Sequence, residues 1–230
     1  MKDSARKILD SIVNIFASGI ITTLILDKPA CKPSYFDKVT KAWGITIKKI
    51  PKNDHHAGSY HHGRRKIYLS TNDRTVLYHE IGHAGLMKFF IGIWDKSHAE
   101  VISEMVAQTL YVLAHGKAKN LERSNRYIEY QSAKLRMIPF EVLGEVREDA
   151  EMLLDAILTP NPIFCVKSPT REKPMFFETM IEVEIFRRVF KSENISIAVV
   201  SKDESTDLEN DWSSSLVLPE KNGEIINEVP

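Results

Sequence analysis

The chain has 230 residues, 43% of them hydrophobic, and its 31 Lys and Arg are balanced by 31 Asp and Glu. This length suits one large domain or two small ones with an adequate core, and the composition excludes a wholly disordered or collagen-like chain. A net charge of zero argues against a protein whose whole surface is built to bind nucleic acid.

An uncharged segment near the N-terminus bears on where the protein resides. Residues 11–26 carry no charge, but they are fewer than the roughly 20 apolar residues that a spanning helix needs. No clean small-x-small cleavage site follows, so the segment favours a buried helix ending near Gly19, and then a β-like stretch, over a signal peptide. Cys31 and Cys165 are too few for a disulfide framework. We expect a cytoplasmic protein without a membrane span.

The middle of the chain predicts strands followed by helices, and hence an α+β fold. A partly alternating segment stops at Pro51, Gly116 ends the second predicted helix, and Pro139 suits the first turn of the fourth. The predicted elements are strands at 44–50 and 67–70, helices at about 74–90, 97–115, 125–134 and 139–158, a segment at 181–190 that fits helix or strand, and a strand at 195–200.

Charge differs between the body of the chain and its C-terminal end. Residues 201–230 hold eight acids and two Lys, a net charge of −6, so residues 1–200 carry about +6. The last thirty residues also have few strongly apolar positions, which is the composition of a solvated tail. We expect one folded domain over residues 1–200 and an acidic, flexible tail over 201–230.

The first predicted helix carries an HExxH motif that runs from His79 to His83, with Glu80 after the first His. Two His four residues apart project from one helix face and can reach one ion, while the Glu between them can deprotonate a water. In a chain with 8 His, the pattern is expected roughly 0.02 times by chance. Gly82 and Gly85 each weaken a helix by about 1 kcal/mol relative to Ala, which predicts close packing there. The motif predicts one Zn²⁺ per chain.

A third zinc ligand is expected from the second predicted helix. Catalytic zinc takes three protein ligands and a water, and Leu86 and Phe89 stand where a metzincin has Gly and His, which excludes that class. The second helix is apolar nearly all round yet carries Glu100 and Glu104 one turn apart, and a bound cation would offset their repulsion. We assign Glu100 as the ligand and Glu104 as the partner of a ligating His. The swapped assignment and His98 as the ligand stay open.

A histidine-rich segment precedes the motif. The pairs His55-His56 and His61-His62 flank Tyr60, and such loop pairs only weakly indicate a metal site. The segment suits an edge strand along the cleft, to which an extended peptide can add by β-augmentation. We expect Tyr60 or one of these His to polarise the scissile carbonyl or to stabilise the oxyanion.

Together these residues resemble the zincin-like metallopeptidase domain of ArdC-type antirestriction proteins. The similarity rests on the motif with the following Ala84, on the segments 99–104 and 125–128, and on an amphipathic helix from Phe140 to Ala156, so it covers about residues 58–160. It implies a gluzincin-type zincin fold with a small mixed or antiparallel sheet and zinc-dependent peptidase activity. The ImmA/IrrE-type metallopeptidases share the motif helix and a downstream Glu, and are the nearest rival family.

Two features depart from the ArdC-type pattern. Those proteins carry a separate N-terminal domain for single-stranded DNA, and the roughly 55 residues before the motif-bearing core are too few for one here. Where that family has two adjacent Glu residues at the start of the second helix, this chain has Ala99 and Glu100. Binding of nucleic acid is therefore left without support from the sequence.

The expected function is zinc-dependent hydrolysis of peptide bonds in a protein substrate, in a mobile-element, antirestriction or regulatory setting. Glu80 is the expected catalytic residue, because it can accept a proton from the attacking water and pass it to the leaving amine. The alternative is a non-catalytic protein of the same fold that has a structural metal and binds a nuclease or a repressor. Neither reading involves a membrane.

Overall fold

The computed structural model of the chain describes residues 30–52, 57–91, 93–169, 173–190 and 195–203, with the single residues 24, 28, 171 and 205. Within these residues, six α-helices and two three-stranded sheets form an α+β fold, which confirms the predicted class. The sequence predicted one small mixed or antiparallel sheet, whereas the described residues form one mixed sheet and one antiparallel sheet.

The mixed sheet lies directly before the motif helix and consists of β1 (Thr46–Lys49), β2 (Gly58–His61) and β3 (Lys66–Leu69). Its order is β1-β3-β2, with β1 parallel and β2 antiparallel to β3. The strand β2 is therefore an edge strand of the described sheet, as the sequence predicted. Helix α1 (Ser34–Ala42), which was not predicted from the sequence, leads into β1.

Helix α2 (Arg74–Gly85) carries the motif. Its N-cap is Asp73, whose side chain accepts a hydrogen bond from the backbone N–H of Thr75 at 3.0 Å. The predicted helix continued to Phe90, but the last residues form a π-helical turn, Leu86–Phe90. A capping carboxylate and a buried apolar face account for the start and the orientation of this helix.

Three further helices follow α2. They are α3 (Lys96–His115), α4 (Leu121–Leu135) and α5 (Pro139–Leu158). Two of them, α3 and α5, pack against α2, and α4 packs against α3 and α5. Helix α3 ends where predicted, since Gly116 adopts a left-handed conformation with φ of 70°. Helix α5 has its predicted bounds. The apolar side chains along one face of α5 are each at most 1% exposed, and they are Val142, Leu143, Val146, Ala150, Leu153, Leu154 and Ile157.

The antiparallel sheet follows the helices and has the order β5-β4-β6. Its strands are β4 (Pro162–Lys167), β5 (Met175–Phe177) and β6 (Ser196–Ser201), and helix α6 (Met180–Phe190) lies between β5 and β6 in the chain. The ambiguous segment after residue 180 is thus helical, and the strand predicted at 195–200 is confirmed. Strands β4 and β5 were not predicted from the sequence.

Several predictions fall largely outside the described residues. Of the predicted β-like stretch after Gly19, only Leu24 and the nearby Lys28 are described; Leu24 is helical and only 2% exposed, so the strand prediction is wrong there. The acidic tail is described only at its start, where β6 runs to Ser201 and Ser205 is buried. Among the described residues, no helix is long and apolar enough to cross a membrane.

Candidate metal centre

A close approach of α2 and α3 brings the motif and the two predicted Glu together. A Cβ atom on Gly82 would lie 3.0 Å from Cα and 3.1 Å from Cβ of Ser103, closer than side chains normally pack. A Cβ atom on Gly85 would lie 2.6 Å from Leu153. The close packing predicted at both glycines is confirmed, and at Gly82 it lets the backbone of α3 approach the face that carries the two His.

Three side-chain atoms from these helices converge on one point. Nε2 of His79 lies 3.2 Å from Oε2 of Glu100, and Nε2 of His83 lies 3.1 Å from the same oxygen. The two Nε2 atoms are themselves 3.1 Å apart. The three atoms therefore form a nearly equilateral triangle, and these residues are the one group of possible metal ligands among the described His, Cys, Asp and Glu.

The triangle fits a zinc ion. Bonds of about 2.0–2.1 Å in a tetrahedron separate neighbouring ligand atoms by about 3.3–3.4 Å, close to the 3.1–3.2 Å edges here. Two imidazole nitrogens and one carboxylate oxygen are also a ligand set used by catalytic zinc. Hydrogen bonds alone satisfy the triangle poorly, because each ring N–H can point along only one edge.

The other nitrogen of each His ring is also held. Nδ1 of His79 lies 3.0 Å from Oε2 of Glu104, and Nδ1 of His83 lies 3.2 Å from Oγ of Ser103. Such contacts turn Nε2 of each ring toward the triangle and fix the ring plane. Glu104 thus lies outside the triangle, on the far side of His79, while Glu100 lies within it.

Helix α4 supports both carboxylates from the opposite side. The Tyr127 hydroxyl donates to Oε2 of Glu100 at 2.6 Å. The Ser124 hydroxyl donates a short hydrogen bond to Oε1 of Glu104, and the Gln108 side-chain amide donates to Ser124 at 2.6 Å. The carboxylates are consequently oriented by hydroxyl groups one turn apart on α4, at positions 124 and 127.

The buried charges shift the pKa values of this cluster. Burial lowers the pKa of His79, but its hydrogen bonds with Glu100 and Glu104 outweigh burial and raise the pKa to about 10. Burial likewise opposes ionisation of Glu100, yet hydrogen bonds from His79 and His83 hold its pKa below the usual range. Burial and the bond to Glu100 raise the pKa of Tyr127, which keeps its hydroxyl protonated. A metal ion must therefore compete with a proton on His79.

Glu80 projects from α2 toward the edge strand rather than into the triangle. It is 6% exposed, and its carboxylate accepts a hydrogen bond from the backbone N–H of Tyr60. Burial raises the pKa of Glu80, and the nearby His79 and His83 oppose that rise. A Cβ atom on Gly58 would lie 2.6 Å from Cγ1 of Val76 and 2.9 Å from Oε1 of Glu80, so a larger residue there would crowd both side chains.

A cavity of about 230 Å³ opens beside Glu80 and His79. Its walls come from four places in the chain: the start of β2, the first turns of α2, the middle of α3, and the start of α4. The lining includes Gly58, Glu80, Gln108, Asn120, Arg123 and Tyr127. The volume is just below the roughly 300–1,000 Å³ typical of small-molecule pockets, which suits one or two residues of an extended chain.

The other predicted site residues lie elsewhere. His98 contacts Oδ2 of Asp95 at 2.6 Å and Oε2 of Glu145 at 3.2 Å, away from the triangle. The Tyr60 side chain packs against the core, so this residue faces Glu80 through its backbone N–H. The exposed His61 ring packs on Tyr68, while His55 and His56 lie outside the described residues.

Several residues that contribute to this site were not predicted from the sequence. Ser103 carries no motif signal, although it lies three residues after Glu100 and so faces the same side of α3. Ser124 and Arg123 lie in a polar first turn that the predicted third helix left out, since that helix began only at residue 125. The sequence indicates these residues only through their spacing of three and four positions from Tyr127, which lies within the ArdC-like segment.

Comparison with sequence models of protein families, with curated proteins and with solved structures finds no match to this chain.

Proposed function

We propose that this chain is a zinc-dependent metallopeptidase with a zincin-like, gluzincin-type fold. One observation carries the proposal: the donor atoms of His79, His83 and Glu100 lie 3.1–3.2 Å from one another, with Glu80 on the same helix beside them. A set of three ligands next to a buried carboxylate that ends in a cavity is the arrangement of catalytic rather than structural zinc sites. The resemblance to ArdC-type metallopeptidases points the same way.

The roles of the residues follow from their contacts. His79, His83 and Glu100 would hold the ion, with Glu104 and Ser103 orienting the two rings. A zinc ion held there would polarise a carbonyl oxygen and lower the pKa of a water molecule toward about 7.

Glu80 acts as the proton carrier in this proposal. Its burial raises its pKa toward neutrality, so the carboxylate is a stronger base than an exposed Glu. It takes one proton from the attacking water and delivers it to the leaving amine, so the base is regenerated once the peptide bond has broken. The Tyr60 N–H holds the carboxylate in place meanwhile.

The edge strand β2 supports a peptide as the substrate. The backbone N–H of Ser70 donates to the carbonyl of Ala57 at 2.9 Å, so Ala57 and, by alternation, Ser59 and His61 bond to β3. The polar backbone groups of Gly58 and Tyr60 therefore point away from β3, toward Glu80 and the cavity. An extended substrate laid along this edge would pass the proposed centre.

The test compares wild type with Glu80→Gln on a peptide library, with cleavage read by mass spectrometry and zinc by elemental analysis. Both proteins should hold one zinc per chain, and only wild type should cleave. Equal cleavage by Glu80→Gln would overturn the mechanism. Zinc in wild type without cleavage of any peptide would favour the non-catalytic binding protein instead.

A further inference from the structure

Resting on the proposed peptidase function, we infer that Arg123 selects substrates with a carboxylate next to the scissile bond. Arg123 lies in the first turn of α4 and lines the cavity beside Glu80. Among the described residues that line this cavity, it is the only Lys or Arg. The substrate class is thus a peptide with an acidic side chain or a C-terminal carboxylate seated in this cavity.

The charge of Arg123 is available for a ligand. Nearby cations are already paired: Lys119 donates to Asp73 at 3.0 Å, and Arg126 pairs with Glu122. Within the described part of the chain, Arg123 makes no ion pair or side-chain hydrogen bond, and it is exposed. Its guanidinium can therefore form a bidentate pair with a carboxylate without breaking another contact.

The backbone position of Arg123 relative to the proposed centre is fixed by its neighbours on α4. Ser124 and Tyr127, on the same face of α4, hydrogen-bond to Glu104 and Glu100. Residue 123 lies four positions before Tyr127, about 6 Å along the helix axis. A substrate carboxylate bound to Arg123 would thus place the peptide backbone of that substrate within about one or two residues of the metal ligands.

Two more features of the cavity match an acidic peptide. The N-cap residue Asn120, with φ of 55°, gives α4 no side-chain cap among the described contacts, so the first-turn N–H groups can also attract a carboxylate. Gln108 also lines the cavity, and its buried Oε1 lacks a hydrogen-bond partner within the described residues. A peptide supplies both a carboxylate for Arg123 and an N–H for such an acceptor.

The test measures binding as well as cleavage. Zinc-loaded full-length Glu80→Gln is titrated with acetylated, amidated Ala/Ser hexapeptides that carry one Glu at each position in turn, each matched to the Gln peptide. A hexapeptide of neutral residues with a free C-terminal carboxylate forms a second arm. We expect one position of Glu, or the free C-terminus, to bind about tenfold tighter than its neutral match.

Variants assign the preference to Arg123. The preference should disappear with Arg123→Ala, weaken with Arg123→Lys, and persist with Arg126→Ala, which removes a cation of the same helix that does not line the cavity. No preference for a carboxylate, or one that survives Arg123→Ala, would overturn the inference. An Arg123-dependent affinity for single-stranded oligonucleotide that exceeds that for every peptide would also overturn it.

The same experiment separates this inference from the proposed function. If wild type and Arg123→Ala cleave acidic and neutral peptides equally well, the proposed selectivity is refuted and the proposed peptidase function is retained. Arg123-dependent binding of acidic peptides without cleavage by wild type refutes the peptidase and leaves an acidic-peptide binding site.

Discussion

The ligand assignment can be tested by comparing Glu100→Gln with Glu104→Gln. Glu100 contacts both Nε2 atoms of the triangle, at 3.2 and 3.1 Å. Glu104 contacts neither of them; it bonds Nδ1 of His79, at 3.0 Å, and the Ser124 hydroxyl. Loss of such an outer partner typically lowers zinc affinity about 10- to 100-fold, or about 1.4–2.8 kcal/mol. Loss of a direct ligand should cost more. We therefore expect Glu104→Gln to keep one zinc with weakened affinity, and Glu100→Gln to bind far more weakly.

The assay is competition for zinc with a chromophoric chelator at fixed pH, with circular dichroism to check that each variant is folded. Glu122→Gln serves as the control, because Glu122 is exposed on α4 and, within the described ranges, pairs with Arg126 alone. If Glu104→Gln abolishes binding while Glu100→Gln preserves it, the assignment is reversed. If both variants bind zinc as wild type does, the triangle is not the metal site.

Three further predictions concern packing and pH. Gly82→Ala should push α3 away, because the new Cβ would lie 3.0–3.2 Å from Ser103, and the chelator competition should then report weaker zinc binding. Gly58→Ala should displace the side chains of Val76 and Glu80, because the new Cβ would lie 2.6 and 2.9 Å from them, and so lower kcat in the peptide assay while zinc stays at one per chain. Unchanged turnover would contradict this packing around Glu80. Burial raises the pKa of Asp149 from 3.8 to about 6. At pH values between these two pKa values, the folded state binds more protons than the unfolded state, so the folded state loses stability as the pH rises. Asp149→Asn should therefore be more stable than wild type above pH ~6, by at most about 3 kcal/mol, and should lose this advantage below pH ~4 in urea melts; a constant difference at all pH values would refute the argument.

The local part of the site was predictable from the sequence because it depends on a single helix. The spacing of His79 and His83 on one face follows from helix geometry alone. The choice between Glu100 and Glu104 depends on how two helices cross. That crossing is set by the contact of Gly82 with Ser103, which the sequence indicated only as close packing around a glycine.

The parts that were missed depend on contacts between distant segments. Helix α1 has no side-chain N-cap among the described contacts. It is held in place by the Tyr35 hydroxyl, which donates a hydrogen bond to the carbonyl of Leu158 at 2.8 Å, a partner 123 positions away. Strand β4 is buried at four successive positions, so it lacks the alternation that marks a half-buried strand. Arg123 was missed because a charged first turn has no apolar periodicity.

The most direct test of the central claim is the zinc content of the untagged protein, measured by elemental analysis after dialysis against a weak chelator. One zinc per chain in wild type, lost when His79 and His83 are both replaced by Ala, is the predicted result. A wild-type protein that retains no zinc, and takes up none when zinc is added, would contradict the proposed metal centre and the peptidase function with it.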